Sequence, residues 1–171
     1  MTNFDFLKND SQFKSFADVA VSAEKILNID MEASALNCRR AMEFAVKWMY
    51  SVDKSLVLPY QDNLVSLMST EEFRDIVEPN LWKRMDFIRK LGNQAAHSGR
   101  KITLDKAKLC LENLYIFMDF VAYCYGESYE EKNFNPELLE EAQYEKKSVA
   151  QSASELDLKM LMDENKALKE A

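Results

Sequence analysis

Residues 31–52 read MEASALNCRRAMEFAVKWMYSV and carry apolar side chains at spacings of three and four throughout. This is the period of an α-helix, and Asp30 provides an N-cap just before it. The apolar positions are Ala35, Cys38, Ala41, Met42, Phe44, Ala45, Trp48 and Met49. Because they cover more than one narrow stripe, the sequence predicts a bundle with this helix at its centre.

The segments on either side show the same helical period. The predicted long helices are Phe13 to Leu27, a helix opened by Pro79 that ends near His97, and Leu104 to Tyr125; the predicted short ones are Asn63 to Met68 and Thr70 to Val77. With only three Gly and three Pro, the chain lacks the turn residues that sandwiches and barrels need. The predicted fold class is therefore all-α, an antiparallel helical bundle.

The composition changes after Gly126. Residues 1–126 form the predicted bundle, whereas 127–171 account for −6 of the chain's net charge of −7 and read as an acidic linker and a helix. Asn135 followed by Pro136 is typical of a helix start. The last helical pattern reaches Ala171 without a stop, so we expect a longer chain to continue beyond it.

Three cysteines, Cys38, Cys110 and Cys124, each fall within an apolar helical pattern and form no CxxC pair. We expect buried thiols in a reducing compartment rather than disulfides or a zinc site. We expect no signal sequence, because the N-terminal stretch lacks an apolar region, and the longest apolar run, 114–125, is too short to span a bilayer. The predicted protein is soluble and cytoplasmic, with no membrane partner, no metal site and no cofactor in this fragment.

Positive charge is concentrated between Leu81 and Lys108, where the net charge is +6 in an otherwise acidic chain. The candidate nucleic-acid-binding residues in this basic segment are Lys83, Arg84, Lys90, Arg100 and Lys101. Such a concentration favours contact with DNA, or alternatively RNA. The other interpretations are a protein-facing surface and an ordinary solvated face.

Arg89, Asn93 and His97 recur at four-residue spacing and share one helix face, where a row of polar groups can bind phosphate. His97 is the only histidine, and imidazole suits proton transfer at neutral pH. Gly92 inside a helix suggests the close approach of another backbone. In the alternative that we favour, His97 closes the helix, Arg89 pairs with an acidic neighbour and Gly92 allows helix packing.

The central helix carries four charged residues at mutual spacings of three and four, namely Arg39, Arg40, Glu43 and Lys47. Simple ion pairs within the helix are the favoured interpretation. Alternatively, Glu43, with Arg40 beside it, supports Arg89 or His97 from across the bundle.

Several of these motifs together resemble a known domain. They are Asn3-Phe4-Asp5-Phe6-Leu7, Ala23-Glu24, Asn37-Cys38-Arg39-Arg40-Ala41-Met42-Glu43 with Trp48, and Arg89-x-x-Gly92-Asn93-x-Ala95-Ala96-His97. Over about residues 3–125 the chain resembles the uncharacterised N-terminal helical domain of some type I restriction enzyme R subunits. That resemblance implies a downstream nuclease domain and ATP-dependent motor, and the other subunits of a restriction complex as partners.

This domain is in turn similar to the HEPN helical bundles, some of which are ribonucleases with the pattern Arg, polar residue, three residues, His. Asn93 and His97 match the pattern, but Gly92 stands at the position of the arginine. The resemblance therefore implies a non-catalytic accessory domain for nucleic-acid contact or subunit interaction. The alternatives are a metal-independent HEPN ribonuclease and a structural bundle that forms homodimers.

Overall fold

The computed structural model of the chain describes residues 1–97 and 101–140. Two short 3-10 helices, Asp5–Asn9 and Ser11–Phe13, precede five α-helices, which are α1 (Lys14–Lys25), α2 (Met31–Val52), α3 (Leu64–Met68), α4 (Glu71–Ala96) and α5 (Leu104–Tyr125). The described ranges contain no β-strand, so the predicted all-α class is confirmed. None of their helices is long and apolar enough to cross a membrane.

Helix α2 lies at the centre and packs against α1, α3, α4 and α5. The Tyr50 hydroxyl, near its C-terminal end, donates a hydrogen bond to the Leu67 carbonyl (2.6 Å) and its ring stacks on Phe73 at the start of α4. At the other end of α2, Glu32 accepts a hydrogen bond from the backbone N–H of Ile102, just before α5 (3.0 Å). These contacts make α4 antiparallel to α2, while α5 runs parallel to it.

One expectation about burial, that of Cys124, is wrong, and one apolar side chain of α2 lies outside the core. Phe44 is 38% exposed, because it shares the outer stripe of α2 with Arg40 and Lys47 rather than the core face. Cys124 is also exposed, on the outer side of the last turn of α5, whereas Cys38 and Cys110 are buried. Burial raises the pKa of the Cys38 thiol well above its usual value.

Helix α4 contains a break that the sequence predicts as the boundary between two helices. Glu78 has φ 62° and ψ 156°, a backbone conformation that residues other than glycine rarely adopt. Pro79 follows it, and proline disfavours the helical conformation in the residue before it. The Nε1–H of Trp82 donates to the Met68 carbonyl (2.6 Å), which ties the second half of α4 to α3.

The N-terminal segment is held to the bundle by a buried polar cluster. Glu24, only 2% exposed, accepts hydrogen bonds from the backbone N–H of Asn3 (3.0 Å) and from its Nδ2 (2.8 Å). Asn3 also exchanges hydrogen bonds with the backbone of Asn135, at 3.1 and 2.7 Å. This cluster explains why the apolar face of α1 contains one acidic residue.

The described part of the acidic segment lies against the bundle. The Tyr129 hydroxyl donates to Asp119 (2.9 Å), and Leu139 is 2% exposed. Asn135 caps a helical turn by accepting from the Glu137 N–H (3.0 Å), as its position before Pro136 predicts. The domain boundary after residue 126 stays a prediction, and the helix predicted toward Ala171 lies outside the described residues.

Replacing Asn3 tests the buried cluster. Asn3→Ala removes one hydrogen-bond donor to the buried Glu24 carboxylate, and we expect the free energy of unfolding to fall by about 1–3 kcal/mol in urea titrations. Asn133→Ala, the same substitution at an exposed position, should leave it within about 0.5 kcal/mol of the wild-type value. Equal effects of the two variants would contradict a stabilising role for the cluster.

Candidate nucleic-acid interface

The outer face of α4 carries a row of exposed polar side chains. Lys83, Lys90 and His97 follow one another at intervals of seven residues and are all exposed. Seven residues are close to two helical turns, so the three side chains emerge along one line, about 10 Å apart at each step. The line faces away from α2, and we call it the α4 basic face.

Asp86 offsets part of the positive charge on this face. Its Oδ1 lies 2.8 Å from Nη2 of Arg89, and its Oδ2 lies 3.0 Å from Nζ of Lys90. Burial raises the pKa of Asp86, but the hydrogen bonds from Lys90 and Arg89 outweigh that effect and leave it below its usual value. Arg89 is thus paired with an acidic neighbour, as the favoured interpretation of the sequence predicts. The single Asp86 carboxylate forms ion pairs with both Arg89 and Lys90.

The other predicted basic residues lie in different surroundings. Arg84 donates from Nη1 to Oδ1 of Asn113 (2.8 Å), which is a neutral group. Within residues 1–97 and 101–140, no carboxylate forms an ion pair with this guanidinium. Lys101 is exposed in the connection before α5, close to the contact between Ile102 and Glu32. Arg100 lies outside the described residues.

The proposed supporting residues bond within α2. Arg40 donates to Asn37 (3.3 Å), and Glu43 forms an ion pair with Lys47 (3.5 Å). The pair between Glu43 and Lys47 agrees with the favoured prediction of ion pairs within the helix. Neither side chain bonds to Arg89 or His97 among the residues that the structure describes.

Gly92 lies where α4 packs closely against α2. A Cβ added to Gly92 would lie 2.4 Å from Cβ and 2.7 Å from Cδ of Arg39. The three nearest atoms all belong to the Arg39 side chain, so Gly92 allows α2 to pack against α4, as the favoured alternative predicts. The Nε of Arg39 is buried and has no hydrogen-bond partner in the described ranges.

Arg39 is the residue that sequence reasoning missed as part of this region. The glycine inside a strongly helical pattern was the available indication that something packs there, but it does not reveal which side chain does. The structure places the side chain of an arginine from α2 against Gly92, the residue before Asn93 in the sequence.

His97 ends α4 and remains exposed. Its backbone N–H donates to the Asn93 carbonyl (3.0 Å), and its imidazole forms no hydrogen bond with a described residue. His97 thus ends α4 through its backbone N–H, as predicted, and not through its side chain. No group of three or more metal-ligating side chains occurs within residues 1–97 and 101–140. What this face offers chemically is cation contact with an anion such as phosphate.

Comparison with known families gives one result. The model of a family described as a domain of unknown function, DUF4145, matches residues 21–155. That range includes all of the α4 basic face and the contact between Arg39 and Gly92. Comparisons with curated proteins and with solved structures give no match.

Gly92→Ala tests the helix contact. A methyl group at this position gains about 1 kcal/mol in helix propensity but overpacks against Cβ of Arg39, which cannot move without its backbone, at a cost of about 1–3 kcal/mol. We expect net destabilisation and a melting temperature several degrees lower in thermal unfolding. Glu112→Ala, at an exposed site on α5, should change it little. A melting temperature raised by Gly92→Ala would contradict the close contact.

Proposed function

The chain belongs to the DUF4145 family, and we propose that it is a non-catalytic accessory domain that contacts nucleic acid through the α4 basic face. The proposal places the domain in the R subunit of a type I restriction enzyme, with DNA as the favoured partner. Its other contacts there are the subunits of the restriction complex. RNA contact and homodimer formation are the alternatives that experiment must separate.

One observation carries the proposal. Lys83 and Lys90 emerge from the same side of α4 with Arg84 next to them, in a chain whose net charge is −7. Arg84 bonds a neutral amide, and no carboxylate pairs with Lys83 in the described part of the chain. Asp86 is the one described carboxylate that pairs with a lysine of this face, and it is shared between Lys90 and Arg89, so the face keeps a net positive charge. Exposed cations that follow one line are the arrangement by which proteins bind a phosphate backbone.

The contacts around Arg89, Gly92 and His97 support a non-catalytic role. Arg89, the arginine of the candidate phosphate-binding row, is held by Asp86 at 2.8 Å. The position where the HEPN pattern has arginine is Gly92, whose small size the Arg39 side chain requires. Between Arg89 and His97, α4 therefore offers no free arginine to stabilise charge on a phosphate beside the exposed imidazole.

Salt dependence of binding tests the proposal. The protein should bind a short DNA duplex at low salt, with affinity falling steeply as salt rises. Lys83→Ala should weaken binding to all sequences alike and reduce the slope of log K against log salt by about one. Lys14→Ala, which removes an exposed cation from the start of α1, serves as the control and should change neither quantity.

Asp86→Asn tests the same interface, but it should change the affinity for nucleic acid in the opposite direction to Lys83→Ala. Removing this carboxylate frees Arg89 and Lys90, so binding should strengthen and its salt dependence should become steeper. Absence of binding to both DNA and RNA at low salt would overturn the proposal. The same conclusion would follow if Asp86→Asn and Lys83→Ala shifted affinity in the same direction.

A metal-independent ribonuclease is the second candidate, favoured by one observation. Arg39 of α2 lies against Gly92, one residue before Asn93, and its Nε is buried without a partner among the described residues. An arginine from the neighbouring helix could thus replace the one that the motif lacks. Its catalytic roles would be phosphate stabilisation by Arg39 and proton transfer by His97.

RNA cleavage separates the two candidates. On the accessory-domain proposal, purified protein leaves a single-stranded RNA substrate intact, and His97→Ala behaves like the wild type. Cleavage by the wild type that is lost in both His97→Ala and Arg39→Ala would establish the ribonuclease instead. Glu112→Ala controls for contaminating nuclease, because it should retain any genuine activity.

A further inference from the structure

A small cavity opens at the break in α4, beyond the row of lysines. Its volume is about 240 Å³, and its lining residues are Arg74, Glu78, Pro79, Trp82 and Lys83. This is just below the range of about 300–1,000 Å³ that is usual for drug-sized ligands, so the cavity suits a single ring system. We call it the Trp82 pocket.

The Trp82 pocket combines an aromatic surface with two cations. The guanidinium carbon of Arg74 lies over the Trp82 ring, 4.0 Å from its centre, so the cation covers one face of the indole and the two groups form a stacked platform. Lys83 follows Trp82 directly and is exposed. Neither Arg74 nor Lys83 forms an ion pair within the ranges that the structure describes.

The geometry of the backbone keeps this platform accessible. Glu78, at φ 62°, interrupts α4 between Arg74 and Trp82, and Pro79 restarts the helix. The indole Nε1–H of Trp82 is already bonded to the Met68 carbonyl at 2.6 Å, which fixes the orientation of the ring. A ligand that stacks here therefore meets a surface whose conformation is set in advance, which reduces the entropic cost of binding.

From these features we propose that the Trp82 pocket binds an unpaired base of single-stranded nucleic acid; the proposal rests on the function proposed above. Planar aromatic and guanidinium groups stack on bases, and neighbouring cations hold the phosphates. Lys83 joins the pocket to the α4 basic face, and Lys90 lies about 10 Å further along it. The backbone of a single strand can thus follow the lysines while one base enters the pocket.

Glu78 distinguishes this ligand from other anions. Glu78 lines the cavity, and a carboxylate at this position can accept hydrogen bonds from the amino and imino N–H groups of a base. An acidic peptide would bring further carboxylates toward Glu78, with repulsion as the result. The pocket therefore favours a ring with N–H donors that is attached to a phosphate.

The experiment uses fluorescently labelled oligonucleotides and the 171-residue chain. Its nucleic-acid probes are a mixed-sequence single-stranded DNA, its RNA counterpart, an abasic DNA strand of equal length, and a duplex. A labelled poly-glutamate peptide is the acidic-protein probe. Base-bearing single strands should bind more tightly than the abasic strand and the duplex, by about 5- to 100-fold. The DNA and RNA arms show which nucleic acid supplies the base.

Arg74→Lys is the decisive variant, because Arg74 is exposed and the substitution keeps its charge while removing the planar group. It should lower affinity for base-bearing single strands at least about 5-fold and leave abasic and duplex affinity unchanged. Trp82→Phe keeps a smaller ring and should weaken single-strand binding in the same direction. Lys14→Ala should leave the discrimination between base-bearing and abasic strands intact.

Three outcomes would overturn the inference. If abasic and base-bearing strands bind equally, the Trp82 pocket does not take a base, although the α4 basic face still contacts nucleic acid. If a poly-glutamate peptide binds as tightly as the base-bearing strand, the surface recognises acidic protein instead. If no nucleic acid binds at low salt, the proposed function fails as well, so the two failures are distinguishable.

Discussion

The contact between Arg39 and Gly92 sets how closely α2 and α4 can lie. Only a residue without a side chain leaves room for the Arg39 stem, since even one added methyl group would lie 2.4 Å from its Cβ. Close packing of this kind fixes the rotation of α4 about its own axis, because interiors of proteins have no spare volume to absorb a shift. That rotation in turn determines which residues of α4 face outward, including Lys83 and Lys90.

The sequence predicted the helices better than the contacts between them. The starts of α2 and α5 follow from their N-cap residues, Asp30 and Thr103, whose side chains accept hydrogen bonds from the backbone of the first turn, and Pro79 indicates the break in α4. These indications are local, so a single sequence contains them. The Asn3–Glu24 and Asn3–Asn135 hydrogen bonds join residues 21 and 132 positions apart, which no local pattern can reveal.

In the candidate site, too, the features within one helix could be predicted from the sequence, whereas the contacts between helices could not. The pairing of Arg89 with Asp86 follows from their three-residue spacing on a helix, and the common face of Lys83, Lys90 and His97 follows from the helical period. The contact between Arg39 and Gly92 could not be predicted, because periodicity indicates which side of a helix is buried but not which atoms are in contact there. The Arg74–Trp82 platform depends on the unusual conformation of Glu78, for which glycine would have been the expected residue.

The three cysteine thiols differ strongly in their accessibility to a thiol reagent. Cys38 and Cys110 are buried, so only unfolding or local opening of α2 and α5 exposes them, whereas Cys124 is exposed while the chain is folded. Burial, with a smaller contribution from nearby Asp53, raises the pKa of Cys124, and its alkylation accordingly proceeds faster in mildly alkaline buffer than at neutral pH. Pulsed alkylation can thus attach one spectroscopic probe beside the C-terminus of α5, and the slower labelling of the two inner thiols then measures how often the core opens.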